Sequence, residues 1–188
     1  MITVGMLVSN RCESMIACIK KCLPDEIRVH VVPDAHKIAD MERHVLALAD
    51  GGVDTVIVDM SNIPPGGLFF DVIIYDCMSG EPPADKSAAK YIHNGTIVIS
   101  NGDDGIIPEF MNGTRLCAVT YGLSQKCSVT PSCIDTCDGL RFNCCIQRGI
   151  PAVSGAEIEL GEYAAGIGGA NVNIYDALAA VTLGMVLR

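Results

Sequence analysis

The chain has 188 residues, 49% of them apolar, with a mean hydropathy of +0.36 and a formal net charge of −9. That length can bury a complete core, and the apolar share suits a sheet covered on both faces. The 13 basic residues are scattered, with only Lys20 and Lys21 adjacent, which excludes a basic face for nucleic acid; the acid excess is read as solubility.

In chain order, Ile2 to Val8 is a β-prone apolar run. After Ser9-Asn10-Arg11, apolar residues at Cys12, Met15, Ile16, Ile19, Cys22 and Leu23 form one helical stripe that Pro24 ends. Arg28 to Val32 reads as a second strand. Ala35 to Asp50 reads as one helix with Ile38, Met41, Val45, Leu48 and Ala49 on a face, stopped by Gly51-Gly52. Strands follow at Thr55 to Met60, Phe70 to Cys77, Thr96 to Ser100 and Leu116 to Tyr121. From Cys127 to Leu160 the pieces shorten, and Asp138-Gly139 is a hairpin signal, so a small antiparallel sheet is expected there. An Ala- and Leu-rich helix, Ile174 to Leu187, closes the chain.

This alternation predicts an α/β fold with a mostly parallel sheet flanked by helices. A single domain is expected over 1–188: a parallel core over 1–126, antiparallel hairpins over 127–160, and a closing loop and helix over 161–188. No apolar stretch reaches the roughly 20 residues that span a bilayer, and no basic n-region precedes an apolar run, so the expected location is cytoplasmic and off the membrane. Ten cysteines without an export signal point to reduced thiols. Six lie between Cys117 and Cys145, but their spacings match known zinc sites poorly, and packing as small hydrophobes is the favoured reading.

In open α/β sheets ligands bind beyond the carboxyl ends of the strands. Here those ends are Ser9-Asn10-Arg11, Asp59-Met60-Ser61-Asn62, Asp76-Cys77-Met78-Ser79 and Asn101-Gly102-Asp103-Asp104. Polar and acidic groups therefore gather at one rim.

Those strand ends, with Ala89-Lys90, Thr120-Tyr121-Gly122 and the run Asn173-Ile174-Tyr175-Asp176-Ala177-Leu178-Ala179-Ala180, follow one another in an order that resembles the central, ATP-handling domain of the Mur ligases. The resemblance spans residues 2 to 188 and implies a fold like that of P-loop NTPases. It also implies ATP and Mg²⁺ as cofactors and ATP-dependent amide ligation of the cell-wall (UDP-muramyl peptide) type. Lys90 falls on the lysine that several family members carbamylate, and Asp59 and Glu81 fall on metal positions. Asp103 and Asp104 match the N-x-D-D aspartates, and Asn173 matches the residue that contacts adenine.

Where the family carries its phosphate loop, this chain reads Gly5-Met6-Leu7-Val8-Ser9-Asn10-Arg11-Cys12-Glu13-Ser14. The loop glycines and lysine that would wrap and neutralise phosphate are missing. Ser9, Asn10 and Arg11 occupy the place, with Arg11 as a displaced cation and Glu13 opposing negative charge. Pro82 stands for the family histidine, and Val172 for the histidine beside the adenine-contacting residue. The family's two flanking domains are expected to have no counterpart in this chain.

The leading expectation is therefore a Mur-ligase-like domain with a degraded phosphate loop, acting as a binding or regulatory unit with ATP and Mg²⁺ binding weakened or lost. One alternative is a ligase component completed by a protein partner that supplies the missing domains. Another is a thiol or metal protein built on Cys127, Cys133, Cys137, Cys144 and Cys145.

Overall fold

A computed structural model describes residues 1–9, 11–33, 35–60, 68–76, 89–104, 115–137, 139–168 and 172–188. The chain is α/β, with a mixed, mostly parallel nine-stranded sheet flanked by helices and a separate two-stranded antiparallel sheet. The backbone divides into two compact units. The first comprises Met1–Asn10, Asp25–Val98 and Ile107–Cys117; the second comprises Arg11–Pro24, Ile99–Ile106 and Ala118–Arg188.

The first unit contains β1 (Ile2–Val8), β2 (Val29–Val32), β3 (Thr55–Asp59) and β4 (Val72–Asp76). Their order is β4-β1-β3-β2, all parallel. β1, β3 and β4 are buried almost throughout, on both faces. This explains why they read as continuous apolar runs rather than as alternating ones. Gly5 lies in this packed layer, where a Cβ would collide with the thioether of Met60.

The expected helix over Ala35 to Asp50 is instead a short 3-10 turn, Ala35–Lys37, followed by an α-helix, Met41–Asp50. The break is at Asp40, whose carboxylate accepts the backbone N–H of Arg43 at 3.0 Å and so caps the helix. Gly52 ends it at φ +80°, as the Gly-Gly pair implied.

β5 (Ile97–Asn101) passes from the first unit into the second. The second unit holds most of β6 (Cys117–Tyr121), and all of β7 (Val129–Asp135), β8 (Leu140–Ile146), β9 (Ile150–Pro151), β10 (Glu157–Ile158) and β11 (Gly161–Ile167). Its helices are α1 (Cys12–Cys22) and a closing helix, Ile174–Val186. With Met41–Asp50 as α2, the closing helix is α3.

The antiparallel pairing expected on either side of Asp138-Gly139 is present: β7 and β8 are antiparallel, Gly139 has φ +95°, and a bulge lies between Ser132 and Asp135 with Cys133 at φ +51°, while Asp138 lies outside the described residues. The small antiparallel sheet is present but smaller than expected: among the described residues it consists of β9 and β10. β7 starts beside β6 in parallel, at Tyr121 and Val129, so β7, β8 and β11 continue the main ladder instead. β11 has no counterpart in the pattern reading, because Gly161-Glu162-Tyr163-Ala164-Ala165-Gly166 carries neither β-branched residues nor a regular apolar alternation. Helices α1 and α3 pack on one another and on β11, β7 and β8, burying Met15, Ile19, Leu178 and Leu183 completely. No described helix is long and apolar enough to cross a membrane.

Candidate functional site

The first turns of α1 and α3 meet in the second unit. Asn173 precedes α3, and its side-chain oxygen accepts the backbone N–H of Tyr175 at 2.8 Å, an N-cap. Asp176, three residues on, is 1% exposed. One of its carboxylate oxygens takes Arg11 Nη1 at 2.5 Å, and the other takes the hydroxyl of Ser14 at 2.6 Å. Arg11 is 19% exposed. A carboxylate this deeply buried needs a cation and further hydrogen bonds to remain ionised. Arg11 and Ser14 supply both, and the first turn of α3 adds a favourable dipole.

Beside this pair lies a cavity of about 300 Å³, lined by Arg11, Ser14, Lys21, Val172, Asn173 and Asp176 among others. That volume is at the lower end of small-molecule sites. Lys21 Nζ donates to the carbonyl of Gly168 at 2.7 Å, which fixes a second cation at the rim. The oxygen of the Asn173 amide is engaged in the cap, so its nitrogen remains as the donor.

A second cluster surrounds Asp103. Its carboxylate accepts the backbone N–H groups of Leu123 at 2.6 Å and Ser124 at 3.0 Å, and the Tyr175 hydroxyl at 3.2 Å. The Asp103 backbone N–H donates in turn to Asn101 Oδ1 at 3.0 Å. Gly122 belongs to this arrangement because a Cβ there would stand 2.8 Å from the Asp103 carboxylate. Burial, and then the hydrogen bond to Asp103, raise the Tyr175 hydroxyl above its ordinary pKa. Burial, and then the charge of Asp103, do the same to the Cys127 thiol.

The residues singled out by sequence are thus distributed as follows. Arg11 and Asn173 line one cavity. Asp103 holds the turn after β6, and Asp104 is half-buried on the turn after β5. In the first unit, the Ser9 N–H donates to the Asp76 carbonyl at 3.2 Å, Asp59 ends β3, and Lys90 lies exposed on a 3-10 turn, Ala89–Tyr91. Asn10 and Glu81 lie outside the described residues.

Asp176, Ser14, Lys21 and Tyr175 were not singled out. The signal for Asp176 was present in Asn173-x-x-Asp176, a cap residue followed by an acid at the third helical position, which resembles a capping box.

No protein-family model matches the chain, and no curated protein matches it.

Among the described residues no group of three or more His, Cys, Asp or Glu is arranged to hold a metal ion. The carboxylates at the α1–α3 cavity and at the β6–β7 turn already accept hydrogen bonds from protein groups, so this donor set does not fit a Mg²⁺ ion held by the protein itself. The cysteines are dispersed in character. Cys144 is buried and Cys22 half-buried, and burial pushes their thiols up to about 12 and about 11, whereas Cys117, Cys133 and Cys137 are exposed.

Proposed function

We propose that the chain is a Mur-ligase-like central domain that works as a binding or regulatory unit, accepting an adenine nucleotide at the α1–α3 cavity without transferring its phosphate. The observation that carries this reading is the pairing of Arg11 with buried Asp176 beside Asn173. The two residues at the family's phosphate and adenine positions line the same cavity, yet the guanidinium is already neutralised. Phosphoryl transfer depends on cations aimed at the developing charge, and removing one such group costs roughly 3–4 kcal/mol of transition-state stabilisation in other electrostatic sites. With no loop glycines and no loop lysine, the residues present favour binding over turnover.

The purified chain, incubated with ATP, Mg²⁺, an amine and a UDP-linked carboxylate, should release no phosphate and form no amide. ATP-dependent ligation by the chain alone would overturn the proposal. Ligation that appears only when flanking ligase domains are added would favour a ligase component completed by a partner.

A further inference from the structure

β11 is the last strand of the sheet on the side of β8, and among the described residues no strand pairs with its outer edge. An unpaired edge is normally blunted by a lysine, a proline, a bulge, extreme shortness or a covering helix or loop. β11 has seven residues, Gly161 to Ile167, in unbroken register with β8 and with no lysine, proline or bulge, and α1 packs on it. Its one charge, Glu162, is turned across its own sheet, where the carboxylate accepts Ser132 Oγ at 2.6 Å and Asn143 Nδ2 at 3.0 Å. Just before the strand, Leu160 is 68% exposed, more than any other large apolar side chain described.

We propose that two copies of the chain associate by antiparallel pairing of β11 with β11, on a two-fold axis passing through Ala164. In that register Ala164 faces Ala164, Tyr163 faces Ala165, Glu162 faces Gly166, Gly161 faces Ile167 and Leu160 faces Gly168. A two-fold interface must be self-complementary, and this one is. Each acid meets a glycine rather than the other acid, each tyrosine meets an alanine, and each exposed leucine gains a neighbour. The outward N–H and C=O groups of both edges are satisfied by the same pairing. The interface is a single ladder, which places association in the weak, micromolar class.

Sedimentation equilibrium of the full chain, under reducing conditions and across the micromolar range, tests this. The wild type should populate a dimer as concentration rises. Ala164→Glu sets two new carboxylates face to face with both Glu162 residues nearby, and should weaken dimerisation by about fivefold to tenfold. Because Ala164 is exposed, the thermal transition of this variant should stay near that of the wild type. An equimolar mixture of Ala164→Glu and Ala164→Lys should dimerise more strongly than Ala164→Glu alone. Leu160→Ser, which introduces no charge, should also weaken the dimer. A wild type that stays monomeric throughout, or a dimer insensitive to both Ala164→Glu and Leu160→Ser, would overturn the proposal.

Discussion

The two units are held together by different means. In the first, β1, β3 and β4 bury apolar side chains on both faces, and the candidate residues Asp59 and Lys90 sit at strand ends and turns. In the second, ionisable groups are drawn into the packing itself: Asp176 between Arg11 and Ser14, and Asp103 against the β6–β7 turn and Tyr175. Apolar layers lose stability in proportion to the atoms removed or forced in. A buried ion pair behaves asymmetrically, because removing one partner leaves the other desolvated and unmatched. The residues that look most chemical in the second unit are therefore also structural, and any change to them must be read on stability and on binding separately.

The largest expected effect breaks the second unit at its pair. Asp176→Ala should destabilise the chain by about 3 kcal/mol in urea unfolding, the lower end for buried pairs because Arg11 keeps some solvent contact. The double change Arg11→Met with Asp176→Leu should recover most of that loss, since two apolar groups of similar size leave no unmatched charge. A double variant no better than Asp176→Ala would mean that the pair is not what holds this region.

The corresponding change in the first unit is Gly5→Ala. The added methyl group meets Met60 in a fully buried layer and should cost about 2 kcal/mol by overpacking, measured in the same way.

Smaller effects sharpen the contrast through two helix caps. Asp40→Ala in the first unit and Asn173→Ala in the second should each cost about 1 kcal/mol. Asn173→Asp keeps the capping oxygen but removes the amide donor. It should leave stability nearly unchanged while weakening nucleotide binding, and an unchanged affinity in that variant would assign Asn173 to the cap alone.

The smallest effect at neutral pH comes from the thiols. Cys144 and Cys22 titrate at about 12 and about 11 when folded, against 9.0 for an ordinary thiol. Their neutral forms are favoured by the fold, so their contribution is intact below pH 9 and is lost as pH rises towards 12. Unfolding free energy should therefore fall across that window, and Cys144 should react with a thiol reagent far more slowly than exposed Cys117 or Cys133.

Much of the fold was legible because its strands are bounded by unambiguous punctuation. β1 was read residue for residue, and Pro24 and Gly51-Gly52 marked helix ends that the structure places within a residue or two. The split before α2 was missed because the apolar stripe runs on through Ile38, while the deciding signal is one carboxylate at Asp40. β11 was missed because small residues carry little strand preference, and β8 supplies the pairing that makes it a strand.

The site was legible only in part. Arg11 and Asn173 could be named from position, and they line one cavity. That Arg11 faces a buried carboxylate could not be read, since Asp176 is 165 residues away along the chain and looks like an ordinary first-turn acid.

The most direct test of the account is a calorimetric titration of the purified chain with ATP and with ADP, each with Mg²⁺, repeated on Asn173→Asp. With Arg11 neutralised by Asp176, the terminal phosphate has little to gain. Both nucleotides should bind in the micromolar range with similar affinity, and the substitution should weaken both. ATP bound far more tightly than ADP, or no heat from either nucleotide, would contradict the account.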